Sequence, residues 1–170
     1  MPRRSPSGLV LTFLVLTLLI SSNQNYAYPA TPQEETRLAG EKLIADAKQF
    51  RSEKVPSSLR KAIQKFEEAL PLIRSIGDRP KEAEVLDQIG AVYELLGEFP
   101  KALDHFDQTL LIYQSIANRK GEAETLNQIG AVYRRLEEHN KARDYFARAL
   151  PIFRAVGNHA GEAKRLIISV

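Results

Sequence analysis

The chain of 170 residues contains no cysteine and no tryptophan, and its single methionine is Met1. Without cysteine there is no disulfide, no thiol nucleophile and no thiolate metal site. The three histidines are His105, His139 and His159, and none lies three or four residues from another. A helix face therefore carries no paired imidazoles for a metal. Neither a glycine-rich phosphate loop nor a nucleophile elbow is present. Adjacent acidic pairs such as Glu67-Glu68 and Glu137-Glu138 diverge on a helix instead of converging as an acid–base pair. No catalytic residue, cofactor site or metal site is expected, and the chain is not read as an enzyme. A large excess of one charge is also missing. The formal charge is +3, from 24 Lys and Arg against 21 Asp and Glu. Setting aside Arg3 and Arg4, which lie in a segment expected to be removed, leaves 22 against 21. That balance does not supply the basic field that nucleic acid requires.

What is present begins with an address. Arg3 and Arg4 precede an apolar run from Leu9 to Ile20, twelve residues long, and polar Ser21 to Asn25 follow. As a helix the run would span ~18 Å at ~1.5 Å per residue, short of a ~30 Å hydrocarbon core. This order of charge, short apolar core and polar exit reads as a secretory signal peptide over residues 1–27. Ala27 is the best residue to precede a cut, although Asn25 is larger than usual at its place. An uncleaved membrane anchor is the alternative. The expected location is accordingly periplasmic or extracellular, with membrane contact only through an uncleaved N-terminal segment.

Residues 28–33 read as a linker, and 34–170 as helical repeats. Thr31, Pro32 and Glu34 form a capping-box pattern that opens the first helix. Leu38, Ala45, Ala47 and Phe50 mark its apolar face, to about Arg51. Val55-Pro56-Ser57-Ser58 interrupts it, and the next helix is expected over Leu59 to Ile76. From Lys61 the chain repeats with a period of forty. Residues 61–100 and 101–140 align without a gap and share 19 of 40 positions, and residues 141–170 match 11 of 30 positions in 101–130. Glu82 to Tyr93, EAEVLDQIGAVY, returns as Glu122 to Tyr133, EAETLNQIGAVY.

Each unit holds two helical patterns. One starts at Lys61-Ala62, Lys101-Ala102 or Lys141-Ala142 and buries residues such as Ala102, Phe106, Leu110 and Tyr113. The other buries Ala83, Leu86, Ile89, Tyr93 and Leu96, or Ala123, Leu126, Ile129, Tyr133 and Leu136. Steps of three and four place each set on one helix face. Gly77-Asp78, Ala117-Asn118 and Gly157-Asn158 separate successive pairs. Ala117 is expected to be the least comfortable of the three, because the left-handed conformation that ends a helix favours glycine. Gly90 and Gly130 fall inside helices at a cost of ~1 kcal/mol each relative to Ala. The missing side chain is expected to admit a neighbouring helix. Pro71 and Pro151 fall mid-pattern, where the helix is expected to continue with a bend.

Helix pairs at a fixed period make an all-α stacked solenoid. Leu126, Ile129, Gly130 and Tyr133, with Ala142, Phe146 and Ala149, resemble the signature of the tetratricopeptide repeat. Leu86, Ile89, Gly90, Tyr93, Ala102 and Phe106 repeat it, with Thr109 in place of the last small alanine. The forty-residue period is similar to the long-helix variety of kinesin light chain and many bacterial repeat proteins. The resemblance implies a right-handed superhelix of about seven helices, in pairs near 34–76, 79–116 and 119–156 with a partial helix at 159–169. It also implies a concave groove, lined by the first helix of each pair, that binds a peptide or protein partner. The groove candidates are Glu84, Asp87, Ala91, Glu94 and Leu95, then Glu124, Asn127, Ala131, Arg134 and Arg135. These are also the positions left once the buried face is removed. Two competing readings are self-association through the apolar C-terminal helix (Leu166, Ile167, Ile168, Val170) and a truncated recognition arm of a larger protein, such as one with a caspase-like peptidase domain.

Overall fold

The computed structural model describes residues 30–157. The signal segment, the start of the linker, His159, the partial helix at 159–169 and its apolar ending lie outside them. Six helices make up the described residues: α1 (Pro32–Ser52), α2 (Pro56–Ser75), α3 (Arg79–Leu95), α4 (Phe99–Ser115), α5 (Arg119–Arg135) and α6 (His139–Ala155). α3 pairs with α4 and α5 with α6, α2 packs on α3 as α4 packs on α5, and α1 meets α2 where Gly40 faces Ile73 and Leu72. This is an all-α repeat solenoid.

The expected cap of α1 is present: the Glu34 backbone N–H donates to Thr31 Oγ1 at 3.2 Å. Half of its expected face holds: Ala47 is buried and Phe50 packs against the core, whereas Leu38 and Ala45 are exposed and Gly40 and Ile44 are buried in their place. The helix lies outside the forty-residue register, so no second copy marks the face. α2 starts three residues earlier than expected, at Pro56, whose fixed φ and missing N–H suit a first helical turn. Neither proline ends its helix: α2 runs through Pro71 and α6 through Pro151. Each leaves the carbonyl four residues before it without its usual donor.

Among the described residues six have positive φ, one at each turn or helix end: Lys54 (56°), Gly77 (73°), Gly97 (75°), Ala117 (54°), Glu137 (61°) and Gly157 (68°). Ala117 is thus an alanine in the left-handed region, as its sequence position suggests. Lys54 lies forty-three residues before Gly97, whereas Glu137 lies forty after it. The first pair is therefore three residues out of step with the others. After the turns between pairs, Asp78 caps α3 by accepting from the Lys81 N–H at 2.9 Å, and Asn118 caps α5 by accepting from the Gly121 N–H at 3.0 Å. Within pairs, Glu98 and Glu138 occupy the cap position without a side-chain cap bond.

The core follows the repeat. Ala83, Leu86 and Ile89 of α3 are buried with Ala102 and Phe106 of α4, and Ala123, Leu126 and Ile129 of α5 with Ala142 and Phe146 of α6. Tyr93 packs against the cores on both sides of it. Gly90 and Gly130 are explained by one contact each. A Cβ on Gly90 would lie 2.8 Å from the Phe106 ring, and one on Gly130 would lie 2.7 Å from the Phe146 ring. Glycine lets the aromatic of the second helix press directly on the backbone of the first.

Candidate functional site

The expected groove residues lie on α3 and α5, the first helices of the two complete pairs. Two ion pairs tie the first helices side by side. Lys48 of α1 meets Glu84 of α3 at 2.9 Å, and Arg135 of α5 meets Glu94 of α3 at 3.1 Å. The face is thus continuous across three helices.

Its residues divide by how much of their bonding capacity is already used. Glu84 is half-buried and held by Lys48 and by Lys81 at 2.7 Å. Burial pushes its carboxyl up, but the two lysines outweigh burial and hold it below the ordinary value. Glu94 is occupied by Arg135, whose guanidinium also lies over the Phe99 ring at 5.3 Å. Arg135 is therefore a tie between copies more than a free groove cation. Glu124 is exposed, with Lys120 at 3.9 Å. Leu95 is 52% exposed. Arg134 is exposed and makes no ion pair among the described residues. Asn127 and the small Ala91 and Ala131 are half-buried between these side chains. Leu95, Asn127 and Arg134 are outside these ties, and Glu124 has only the long, exposed pair with Lys120.

Asp87 is different. It is half-buried, and Gln88 Nε2 lies 3.4 Å from its carboxylate. Burial pushes its carboxyl up to about 6, against the donated bonds of Gln128 and Gln88, while the Glu124 charge adds to the rise and Arg51 opposes it. Tyr113 of α4 reaches the same place. Burial first, then the charges of Asp87, Glu84 and Glu124, push its hydroxyl up to about 12.

Two buried carboxylates escape a reading based on apolar periodicity. Glu82 is 4% exposed and accepts from Arg74 Nε at 2.7 Å and from Arg79. Glu122 is 7% exposed and accepts from Gln114 Nε2 at 3.1 Å and from Arg119. Each clasps the end of one pair to the start of the next, and each partner stands eight residues earlier in sequence. That spacing was the available signal. The recurring Lys of the Lys-Ala pairs also has a shared place. Lys61 lies over Phe50, Lys101 over Tyr93 and Lys141 over Tyr133, at 5.6, 5.2 and 5.1 Å from the ring centres. These contacts are cation–π supports of the scaffold.

His105 lies in the second turn of α4, stacked on Tyr93 with ring centres 5.5 Å apart. Burial lowers its pKa. No group of three or more His, Cys, Asp or Glu side chains among the described residues is arranged to hold a metal ion. Among those residues no helix is long and apolar enough to cross a membrane.

Comparison with known proteins agrees with the fold. The tetratricopeptide repeat model matches residues 58–115, 84–155 and 121–167, which together span most of the chain. Among solved structures, the TPR domain of Arabidopsis FLU aligns with a TM-score of 0.64 at 20% identity, covering 71% of this chain and 98% of that one. BtubC (BKLC) from P. vanneervenii aligns with a TM-score of 0.42 at 14% identity, over 75% of this chain and 59% of that one. At these identities the first shows the fold alone, and the second carries no argument. No curated protein matches the chain.

Proposed function

Because the chain belongs to the tetratricopeptide repeat family, whose fold is that of a protein–protein interaction module, we propose that it is an exported adaptor. It holds an extended segment of a protein partner on the face formed by α1, α3 and α5. One observation carries this reading: Leu95, Glu124, Asn127 and Arg134 lie on adjacent first helices, accessible and largely uncommitted, while their neighbours Glu84, Glu94 and Arg135 are fixed in ion pairs. A fixed frame with free polar and apolar groups between its ties binds with little ordering cost. Export rests on the charge and apolar pattern of residues 3–25, and the partner is accordingly sought in the periplasmic or extracellular fraction.

The test compares three immobilised proteins with that fraction: wild type, a Glu124→Ala/Asn127→Ala/Arg134→Ala variant, and a Leu111→Ala control. Leu111 is an exposed residue of α4, away from the first helices. The reading expects the triple variant to lose partners that wild type and the control retain. Equal recovery by all three places binding elsewhere.

A further inference from the structure

The forward side of α6 is covered, although no described helix follows it. Phe153 is 2% exposed. The last helix of a stack leaves its outer side in water unless another element packs there. One seam earlier, Tyr113 of α4 holds the place of Phe153, and α5 packs over it. A Cβ on Gly121 of α5 would lie 2.7 Å from the Tyr113 ring, so the ring occupies the room that glycine leaves.

The sequence after α6 carries the complement. Gly161 stands forty residues after Gly121, as Phe153 stands forty after Tyr113. In the first seam the same two positions are Ile73 and Lys81, a smaller aliphatic side chain with no glycine opposite. The ring and the glycine change together. The clasp recurs as well. Arg74 meets Glu82 at 2.7 Å and Gln114 meets Glu122 at 3.1 Å, each pair eight residues apart, and Arg154 stands eight residues before Glu162. Gly157 ends α6 with φ 68°, as Gly77 (73°) ends α2 and Ala117 (54°) ends α4. Asn158 then holds the place from which Asp78 and Asn118 cap the next helix. The tetratricopeptide repeat match itself runs to residue 167.

We propose that residues 158–170 form a further first helix that docks on α6 of the same chain, with Gly161 seated on the Phe153 ring and Glu162 clasped by Arg154. The turn at Gly157 has the backbone of the two turns that lead the chain back onto its own preceding helix, which selects this segment over that of a second copy. The forward side of α6 is then withdrawn from partners and from other copies. The row of first helices gains a fourth member, with Lys164 where Glu84 and Glu124 stand and Ile167 where Asp87 and Asn127 stand.

Amide hydrogen exchange of the full wild-type chain tests the docking without depending on a variant. A helix of this length is marginal in water by itself, so docking is expected to slow exchange at residues 162–167 by about tenfold or more, in samples that light scattering shows to be monomeric. Unprotected amides overturn the proposal. Protection that appears only as the mass doubles assigns the cover to a second copy and overturns it too. Two variants separate docking from helix formation. Gly161→Leu favours the helix itself but drives a side chain into the Phe153 ring. Ala160→Leu puts the same side chain at the place of exposed Lys120. Gly161→Leu should lose most of the protection and Ala160→Leu should keep it, and equal protection in both overturns the proposal. Arg154→Glu should weaken the protection and Arg154→Glu/Glu162→Arg should restore it, whereas a double variant no better than the single one overturns the assigned register.

Discussion

The pairs α3–α4 and α5–α6 are two castings of one scaffold, and their differences separate what holds the fold from what faces outward. Among the letters they share are the core residues: Ala83 and Ala123, Leu86 and Leu126, Ile89 and Ile129, Phe106 packed on Gly90 and Phe146 on Gly130. Three of their differences bear on the turns, the clasps and the outward face. In the preceding turn, Gly77 stands against Ala117. At the clasp, Arg74 on Glu82 stands against Gln114 on Glu122. On the first-helix face, Asp87, Glu94 and Leu95 stand against Asn127, Arg134 and Arg135. The turn and clasp differences change stability, and the face differences change chemistry. Leu95 offers apolar surface where Arg135 reaches back to Glu94 and Phe99. Asp87 offers a titratable group where Asn127 does not.

The comparison breaks most readily at the aromatics. Phe106 is fully buried. Phe106→Ala should cost about 3–5 kcal/mol, since removing a buried ring loses its transfer energy and leaves a cavity. Phe146, 7% exposed, should cost less. Urea denaturation of both variants checks the order, and equal losses would mean that the two castings are not packed unequally.

The clasps come next. Glu82→Ala removes a buried carboxylate from two guanidinium partners, while Glu122→Ala removes one from a guanidinium and a neutral amide. Charge-assisted bonds are stronger than neutral ones, so Glu82→Ala should destabilise by about 2 kcal/mol and Glu122→Ala by less. The partner arginines are about half exposed, which keeps both figures below those for a fully buried ion pair. Thermal melts of the two variants provide the comparison.

The smallest effect is at the turns. Ala117→Gly relieves a left-handed alanine and should stabilise by roughly 0.5–1 kcal/mol after the entropy of glycine is deducted. Gly77→Ala should destabilise by a similar amount, because its φ is 73°. Exchanging the two residues should therefore leave total stability nearly unchanged, as melting of the double variant would show.

Much of this scaffold is legible in sequence, for a physical reason. A residue repeated at a fixed period repeats its environment, so Ile89 and Ile129, or Gly90 and Gly130, testify twice to one contact. Where the period slips, the signal fails. α1 has no copy in register: Ala47 and Phe50 face the core as the sequence suggests, but Gly40 and Ile44 are buried in place of Leu38 and Ala45. Polarity hides other roles. Glu82 and Glu122 look like surface charges until Arg74 and Gln114, one turn of chain away in space, are seen to bury them. Asp87, on the same face, is half-buried, and its environment is set by Gln128 and Tyr113 from other helices. Arg135 stands on the groove face in sequence, and its pairing with Glu94 on the neighbouring copy shows only in three dimensions. The positions of these helices are set by local pattern, but how far each polar side chain is already committed depends on partners on other helices, from eight to about forty residues away.

The claim that the α3–α5 face binds a partner is tested most directly by site-specific photo-crosslinking. A photoreactive residue at position 127 of the full chain is compared with one at position 111, in the presence of the exported fraction. A cross-linked partner at position 127, and none at position 111, is the predicted result. Equal cross-linking at both positions, or cross-linking at position 111 alone, contradicts it.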